Sequence, residues 1–423
     1  MPNPRPMHTA LDTPTQTARA RILDCLAAAI AAVDGREATR RALARHPIEG
    51  PIWLCAIGKA AASMALGATE ICGDACLGGL VVTKPGHADP TALAARGIAC
   101  LFGGHPLPDR ASLDAGARLI AALDDIPSQV TPLFLISGGA SSLVEAPIQD
   151  IDLPELRRIN AWLLASGLPI GQINRVRKCI SRIKGGGLLS RIGDRPLRAL
   201  AISDVPDNDP GVIGSGLLSP EPDLESHVLE LPLPGWLNDQ VHRGLAERGQ
   251  SPAPGPEIEL IADIATAMQA AAERASQLGL SVRLHPPPIQ GDAAEQGRTF
   301  ARILIDSEPG LHIWGGETTV ALPDAPGRGG RNQHLALAAA IALAGHPDCL
   351  LLSAGTDGTD GPTEDAGALV DGWTLERAAL EGFDAESALI AANSGQLLEA
   401  SGDLIRTGPT DTNVMDLILG LKL

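Results

Sequence analysis

The chain has 423 residues, longer than one hydrophobic core usually supports, so two domains are expected. Its 33 Lys and Arg stand against 50 Asp and Glu, and the formal charge of −17 excludes a nucleic-acid duplex or an anionic membrane surface as partner. With four Phe, five Trp and no Tyr, it also lacks the aromatic side chains of a single-strand stacking platform.

The first segment, Met1 to Thr17, is polar and proline-rich and lacks the charged-then-apolar plan of a secretory signal. No apolar run is long enough to cross a bilayer, so the expected location is the cytoplasm. Helical spacing starts at Ala18 and continues through Ile22, Leu23, Leu26 and Ile30 to Val33, where Asp34-Gly35 ends it. Short apolar runs follow at Trp53 to Ile57, Gly79 to Thr83, Ile98 to Phe102, Leu133 to Ser137 and Ala199 to Ser203, separated by helix-like segments. That alternation predicts buried parallel strands in a doubly wound α/β domain.

From Asp204 to Pro256 the chain turns rich in Pro, Gly and acids, and the domain border is placed inside it, giving 1–235 and 236–423. A second α/β pattern then appears: Ile258 to Ala262, a helix near Ile264 to Leu278, Ser281 to His285, a helix near Ala293 to Ile305, and runs at Leu311 to Trp314 and Cys349 to Ser353. Each half is expected to have its own sheet. The seven cysteines (Cys25, Cys55, Cys72, Cys76, Cys100, Cys179, Cys349) are scattered and read as reduced, buried thiols. Cys72 and Cys76 have no second pair to complete a zinc set.

Charge is unevenly spread. Between Arg175 and Arg198, eight basic residues face only Asp194, a local +7 that leaves −24 for the rest. Arg191, Arg195 and Arg198 suit a solvated helix face. Arg182 and Lys184, beside Ile183 and Gly185-Gly186-Gly187, suit an anion pocket. Two glycine loops follow predicted strands: Ser137-Gly138-Gly139-Ala140-Ser141-Ser142 and Gly315-Gly316-Glu317-Thr318-Thr319. Each is either a tight turn or a phosphate cradle of backbone N–H groups and hydroxyls.

A third loop, Ile57-Gly58-Lys59-Ala60-Ala61, sets a lysine between small apolar neighbours at a strand end. It is not a Walker A loop. Lys59 is either a surface lysine or a partly desolvated ammonium awaiting an anion. Acids gather in Ser203-Asp204-Val205-Pro206-Asp207-Asn208-Asp209 and in Gly355-Thr356-Asp357-Gly358-Thr359-Asp360-Gly361, as oxygen ligands for Mg²⁺ or as a base. Asp207, Asp209 and Asp360 suit caps and turns equally well. Asp204 and Asp357 lie nearer strand ends, where open α/β sheets bind ligands. His87 and His105 fall in turns and receive no catalytic role. There is neither a Gly-x-Ser-x-Gly elbow nor a Gly-x-Gly-x-x-Gly fingerprint.

Taken in order, Ala56-Ile57-Gly58-Lys59-Ala60, Gly104-His105-Pro106 with Asp109, Ser137-Gly138-Gly139-Ala140-Ser141, Ile183-Lys184-Gly185-Gly186 and Ile202-Ser203-Asp204-Val205 form a recognisable series. It continues with Gly315-Gly316-Glu317-Thr318, Gly330-Arg331-Asn332-Gln333, Gly355-Thr356-Asp357-Gly358, Asp360-Gly361-Pro362-Thr363, Thr407-Gly408-Pro409-Thr410 and Thr412-Asn413-Val414. Over nearly its whole length the chain resembles the glycerate 2-kinases with a C-terminal MOFRL domain, several of which carry the label hydroxypyruvate reductase. The resemblance implies a larger Rossmann-like N-terminal domain and a smaller C-terminal α/β domain with the active site in the cleft between. The last ~20 residues are a candidate to pack back on the N-terminal domain.

The implied reaction is ATP-dependent phosphorylation of D-glycerate on its 2-hydroxyl, with ATP and Mg²⁺ required and D-glycerate and ATP as small-molecule partners of a monomer or homodimer. Lys59 and Arg331 match the lysine and arginine proposed for the family's active site. Arg331 is assigned to the transferring phosphoryl, and Lys59 to the glycerate carboxylate or a phosphate oxygen. Asp204 and Asp357 share the roles of base and metal ligand, in either order. Substrate and phosphate contacts fall to Ser137, Gly138, Gly139, Ser141, Arg182, Lys184, Gly315, Gly316, Glu317, Thr318, Asn332, Thr410 and Asn413. Gly291-Asp292-Ala293-Ala294 departs from the family's Gly-Glu-Ala-Arg, and His334 stands where an acid is common. The alternatives are an NAD(P)H-dependent hydroxypyruvate reductase and a non-enzymatic anion-binding protein.

Overall fold

Apolar runs long enough for one strand and too short for a helix dominate the first half, and in the computed structural model they form one sheet. The structure describes residues 13–248, 255–286 and 288–423. Strands β1 (Ile52–Ile57), β2 (Cys76–Thr83), β3 (Ile98–Phe102), β4 (Thr131–Ile136), β5 (Arg198–Ile202) and β6 (Ile258–Ala262) are all parallel, in the order β3-β2-β1-β4-β5-β6. β1 and β4, at its centre, are buried at nearly every position, which is why they read as unbroken apolar runs. Ile57, Leu80, Phe134 and Ile136 meet Leu119 and Leu143 in the core. Strand order reverses between β1 and β4, the switch point at which doubly wound sheets bind ligands.

A second apolar cluster in this unit lies among the helices Leu153–Ala165, Ile170–Cys179 and Gly235–Arg248, through Ile159, Leu163, Val176, Leu237 and Val241. The helix Leu153–Ala165 begins at Asp152, whose carboxylate accepts from the Glu155 amide at 2.9 Å.

The other unit is built on β7 (Val282–Leu284), β8 (Gly310–Gly316), β9 (Cys349–Gly355), β10 (Gly367–Asp371), β11 (Leu404–Ile405) and β12 (Asp416–Lys422), in the order β11-β10-β9-β12-β8-β7. Only β7 and β8 run parallel. The helix Arg331–Leu343 is buried continuously from Asn332 to Ala340, so the apolar stretch starting at Leu335 belongs to a core helix.

The expected two sheets are present, but the division differs from residue 235. One compact unit comprises Asp34–Asp263 with Asp411–Asn413; the other comprises described residues 13–33 with 264–410 and 414–423. β6 pairs with β5 from Ala199↔Ile258 to Ile202↔Ala262, so it belongs to the first sheet although it follows the Pro-rich stretch. Composition marked a loop there and backbone pairing set the border. The helix Thr13–Ala32 joins the second unit, with Arg274 bonded to Asp24 at 2.6 Å and Arg19 to Asp371 at 2.8 Å. Nor do the last ~20 residues pack back as a body. β12 lies centrally between β8 and β9, and only Asp411–Asn413 joins the first unit. Most of the polar N-terminal segment, residues 1–12, and residues 249–254 of the expected border region lie outside the described residues.

All seven cysteines are free thiols, with Cys25, Cys55, Cys179 and Cys349 buried. Among the described residues no helix is long and apolar enough to cross a membrane.

A polar stack in the second unit carries a pH signature. His312 and Trp314, two apart on β8, share a face on which His285 stacks and Phe300 lies 4.5 Å from Trp314. His285 Nε2 and His312 Nδ1 are 2.9 Å apart, and Arg283 donates to His312 Nε2 at 3.1 Å. Burial, with His285 and the Arg283 charge, pushes His312 down to about 4. The unfolded chain therefore takes up the proton first, near the ordinary pKa of ~6.5, so stability from this stack is full above that pH and is lost toward pH 4. His312→Gln is expected to flatten unfolding free energy against pH over that window in urea titrations; unchanged slopes would contradict the linkage.

Candidate active site

At the switch point the loops after β1 and β4 are laced by main-chain bonds. Lys59 N–H donates to Gly138 O at 2.9 Å, and Ala60 N–H donates to the Ser137 hydroxyl at 3.0 Å. Gly58 is required by this approach: its φ is +130°, and a Cβ there would lie 2.2 Å from Ser137 Oγ. Ser137, fully buried, is thus a brace between loops.

Functional groups lie directly on the next two glycines. A Cβ on Gly138 would meet Asp204 Oδ2 and Asn413 Nδ2, each at 2.1 Å. Asn413 Nδ2 donates to Asp204 Oδ2 at 3.1 Å. A Cβ on Gly139, whose φ is +82°, would meet Lys59 Cγ and His105 Cδ2, each at 3.3 Å. Ser141 Oγ is 2.8 Å from Ser215 Oγ. The unit thus gathers Lys59, Ser137, Gly138, Gly139, Ser141, Asp204 and Asn413 at the carboxyl ends of β1, β4 and β5, and His105 with them. His105 was passed over because a turn histidine in sequence shows no partner.

Next to these loops lies a cavity of about 240 Å³ lined by His105, Gly139, Ser141, Glu145, Asn160, Arg177, Lys184 and Asp204, among others. Lys184 is 2% exposed and pairs with Glu145, itself 3% exposed, which also accepts from Ser181 Oγ at 2.6 Å. Lys184 thus lines the cavity with its charge shared with Glu145. Lys184→Met leaves a buried carboxylate unpaired and is expected to cost about 3–5 kcal/mol in urea unfolding. A change below about 1 kcal/mol would contradict the pairing.

Arg182 is exposed and absent from the cavity wall, and its amide donates to Ala146 O at 2.8 Å. The Gly185-Gly186-Gly187 amides are spent on Ser215 O, Gly216 O and Lys184 O, and Arg248 donates to the Lys184 and Gly185 carbonyls. Beside Lys184, whose charge is paired with Glu145, the cavity wall carries the guanidinium of Arg177. Nothing in its sequence position separates it from its charged neighbours.

In the second unit Arg331 opens the helix Arg331–Leu343. Its Nε donates to Asp416 Oδ2 at 2.6 Å and its NH2 to Asp416 Oδ1 at 3.0 Å, while NH1 pairs with Glu317. Burial works against the cation, but Asp416 and Glu317 hold the guanidinium above its ordinary value. Asp360 accepts from the Asn332 and Gln333 amides at 3.0 and 2.8 Å, and burial pushes its carboxyl up to about 7 against those donors. Asp360 is the cap of this helix. Asn332 is buried, its Oδ1 accepting from Ser353 Oγ at 2.6 Å.

Asp357 Oδ1 accepts from the Thr359 amide and hydroxyl at 2.9 and 3.0 Å. A Cβ on Gly355 would lie 3.3 Å from Asp357 Oδ1 and 3.5 Å from Asp416 Oδ1, so two carboxylates flank the end of β9. Among the described residues no group of three or more His, Cys, Asp or Glu converges as a metal cage. A pair of carboxylates is nonetheless what Mg²⁺ uses when phosphates and water complete its shell.

Gly315-Gly316 is corrected as a phosphate loop. Both residues belong to β8, a Cβ on Gly315 would strike Ile264, and the Glu317 and Thr319 amides bond Ile289 O and Gly291 O. Glu317 serves instead as partner to Arg331, while Thr318 is buried. Thr410 Oγ1 donates to Thr356 O. Asp416 escaped notice because its partner is 85 residues away.

Residues 21–234 match a domain of unknown function (DUF4147), and residues 310–416 match the MOFRL family. A D-glycerate 2-kinase of Thermotoga maritima is 37% identical over 87% of this chain and 90% of that protein. A putative hydroxypyruvate reductase of Agrobacterium vitis is 36% identical over 94% of this chain and 92% of that protein. The crystal structure of a glycerate kinase from Thermotoga maritima matches with a TM-score of 0.85 at 35% identity, over 96% of this chain and all of that one.

Proposed function

The chain belongs to the glycerate kinase family of DUF4147 and MOFRL domains, and on that premise we propose that it transfers the γ-phosphoryl of ATP to the 2-hydroxyl of D-glycerate, giving 2-phosphoglycerate and ADP. The observation that carries the reading is the meeting of Lys59, Asp204 and Asn413 over Gly138-Gly139. Phosphoryl transfer needs little covalent help; it needs oxygens in line and the moving charge neutralised.

Asp204, oriented by Asn413, holds the 2-hydroxyl and receives its proton. Lys59 neutralises charge on the incoming phosphoryl, with its ammonium stem fixed along Gly139. In the MOFRL unit, Asp416 and Glu317 hold Arg331 by three of its five N–H groups, leaving two for phosphate oxygens. Asp357, with Asp416 beside it, would hold Mg²⁺, which when bound supplies further neutralisation of the nucleotide phosphates. The free thiols fit a reducing, cytoplasmic site of action.

The parallel sheet has the strand order of dinucleotide-binding folds, but fold alone does not assign chemistry, and the β1 loop carries Lys59 in place of a glycine fingerprint. Two assays separate the readings. ADP release that depends on D-glycerate supports the kinase; NAD(P)H oxidation with hydroxypyruvate and no ADP release would replace it with a reductase.

A further inference from the structure

The local +7 segment divides sharply once its partners are known. Arg175 and Lys178 pair with Glu221 at 2.7 and 2.5 Å, Arg191 with Asp124 at 3.5 Å, Arg198 with Glu259, and Lys184 with Glu145. Arg195 spends its guanidinium on the carbonyls of Ile126, Arg191 and Ile192. Arg182 is exposed. Arg177 alone is half-buried in the cavity wall and bonds only amide oxygens: Nε to Asn160 Oδ1 at 3.0 Å and NH1 to Asn174 Oδ1 at 3.5 Å.

Its partner is held in place by packing and a main-chain bond. Asn160 is buried and anchored through its Nδ2 to Leu156 O at 3.0 Å, and both helices that supply the pair pack into the Ile159, Leu163 and Val176 cluster. The neighbouring acid, Glu145, is committed to Lys184, Ser181 Oγ and the Ala146 amide. Burial pulls the Arg177 guanidinium below its ordinary value, so an anion beside it relieves a desolvated cation. NH2 and part of NH1 remain for that anion, the fork that suits a carboxylate.

We propose that Arg177 binds the substrate carboxylate, so that the cavity between Arg177 and Asp204 selects small 2-hydroxy acids. The inference rests on the kinase reading and assigns the acid end of its acceptor. The cavity of about 240 Å³ falls below the ~300–1,000 Å³ of typical ligand pockets, which suits an acid of a few carbons. Asp204, which also lines the cavity, is then left for the hydroxyl and Lys59 for the phosphoryl.

The test is steady-state kinetics of Arg177→Gln and Arg177→Lys with D-glycerate and ATP, together with melting temperatures. Gln retains a donor toward Asn160 and so limits structural damage. For Arg177→Gln, KM for D-glycerate is expected to rise about 100-fold, with KM for ATP within about threefold of the parent; Lys should recover roughly tenfold. D-glycerate should raise the melting temperature of the parent and not that of Arg177→Gln. An active parent with unchanged glycerate KM in Arg177→Gln would overturn the inference alone, as would equal rises in both KM values. A parent that releases no ADP with D-glycerate would overturn the kinase reading first.

Discussion

Lys59→Met is expected to fold normally and to lose about two to four powers of ten in kcat/KM for D-glycerate. The lacing of the two switch-point loops uses the Lys59 amide and the Ser137 hydroxyl, neither of which the substitution removes. Met also replaces the stem that runs along Gly139. What disappears is one preorganised positive charge at the carboxyl end of the sheet, and with it the neutralisation of the moving phosphoryl. The melting temperature should shift by no more than about 3 °C, the range of a substitution that touches no core contact. Near-normal turnover in a well-folded variant would remove Lys59 from the mechanism.

Asp204→Asn should lower kcat by about two to three powers of ten while leaving KM for ATP within a few-fold. The amide oxygen still accepts from Asn413, so the loop keeps its arrangement, but an amide cannot take the hydroxyl proton. A variant with full kcat would move the base elsewhere.

How much of this was legible in the sequence depended on whether a residue's meaning was local. β1 and β4 were readable because strands covered on both faces are continuous apolar runs. Lys59 was readable as a candidate from the small apolar residues that flank it at the end of β1. β12 was missed, and with it the place of the C-terminal residues, because its pairing partners β8 and β9 are remote in the sequence. Gly315-Gly316 was misread for a related reason: glycine also permits a neighbouring backbone to approach, here that of Ile289.

The basic segment is the clearest case. Its excess charge was visible, but the sequence favoured Arg182 and Lys184 over Arg177. The difference lies in carboxylates far along the chain. Lys184 meets Glu145, 39 residues away, and Arg175 meets Glu221, 46 residues away, whereas Arg177 bonds the Asn160 amide oxygen and has Glu145 only as a neighbour already paired with Lys184. Likewise Arg331 was found without Asp416, the side chain that holds it.

The central claim is that the phosphoryl group goes to the 2-hydroxyl of D-glycerate. The direct measurement is to incubate the protein with ATP, Mg²⁺ and D-glycerate and couple the product to enolase, with no phosphoglycerate mutase present. The account predicts phosphoenolpyruvate formation in step with ADP release. ADP release with no enolase signal, turning positive only when mutase is added, would mean phosphorylation at the 3-hydroxyl and would contradict it.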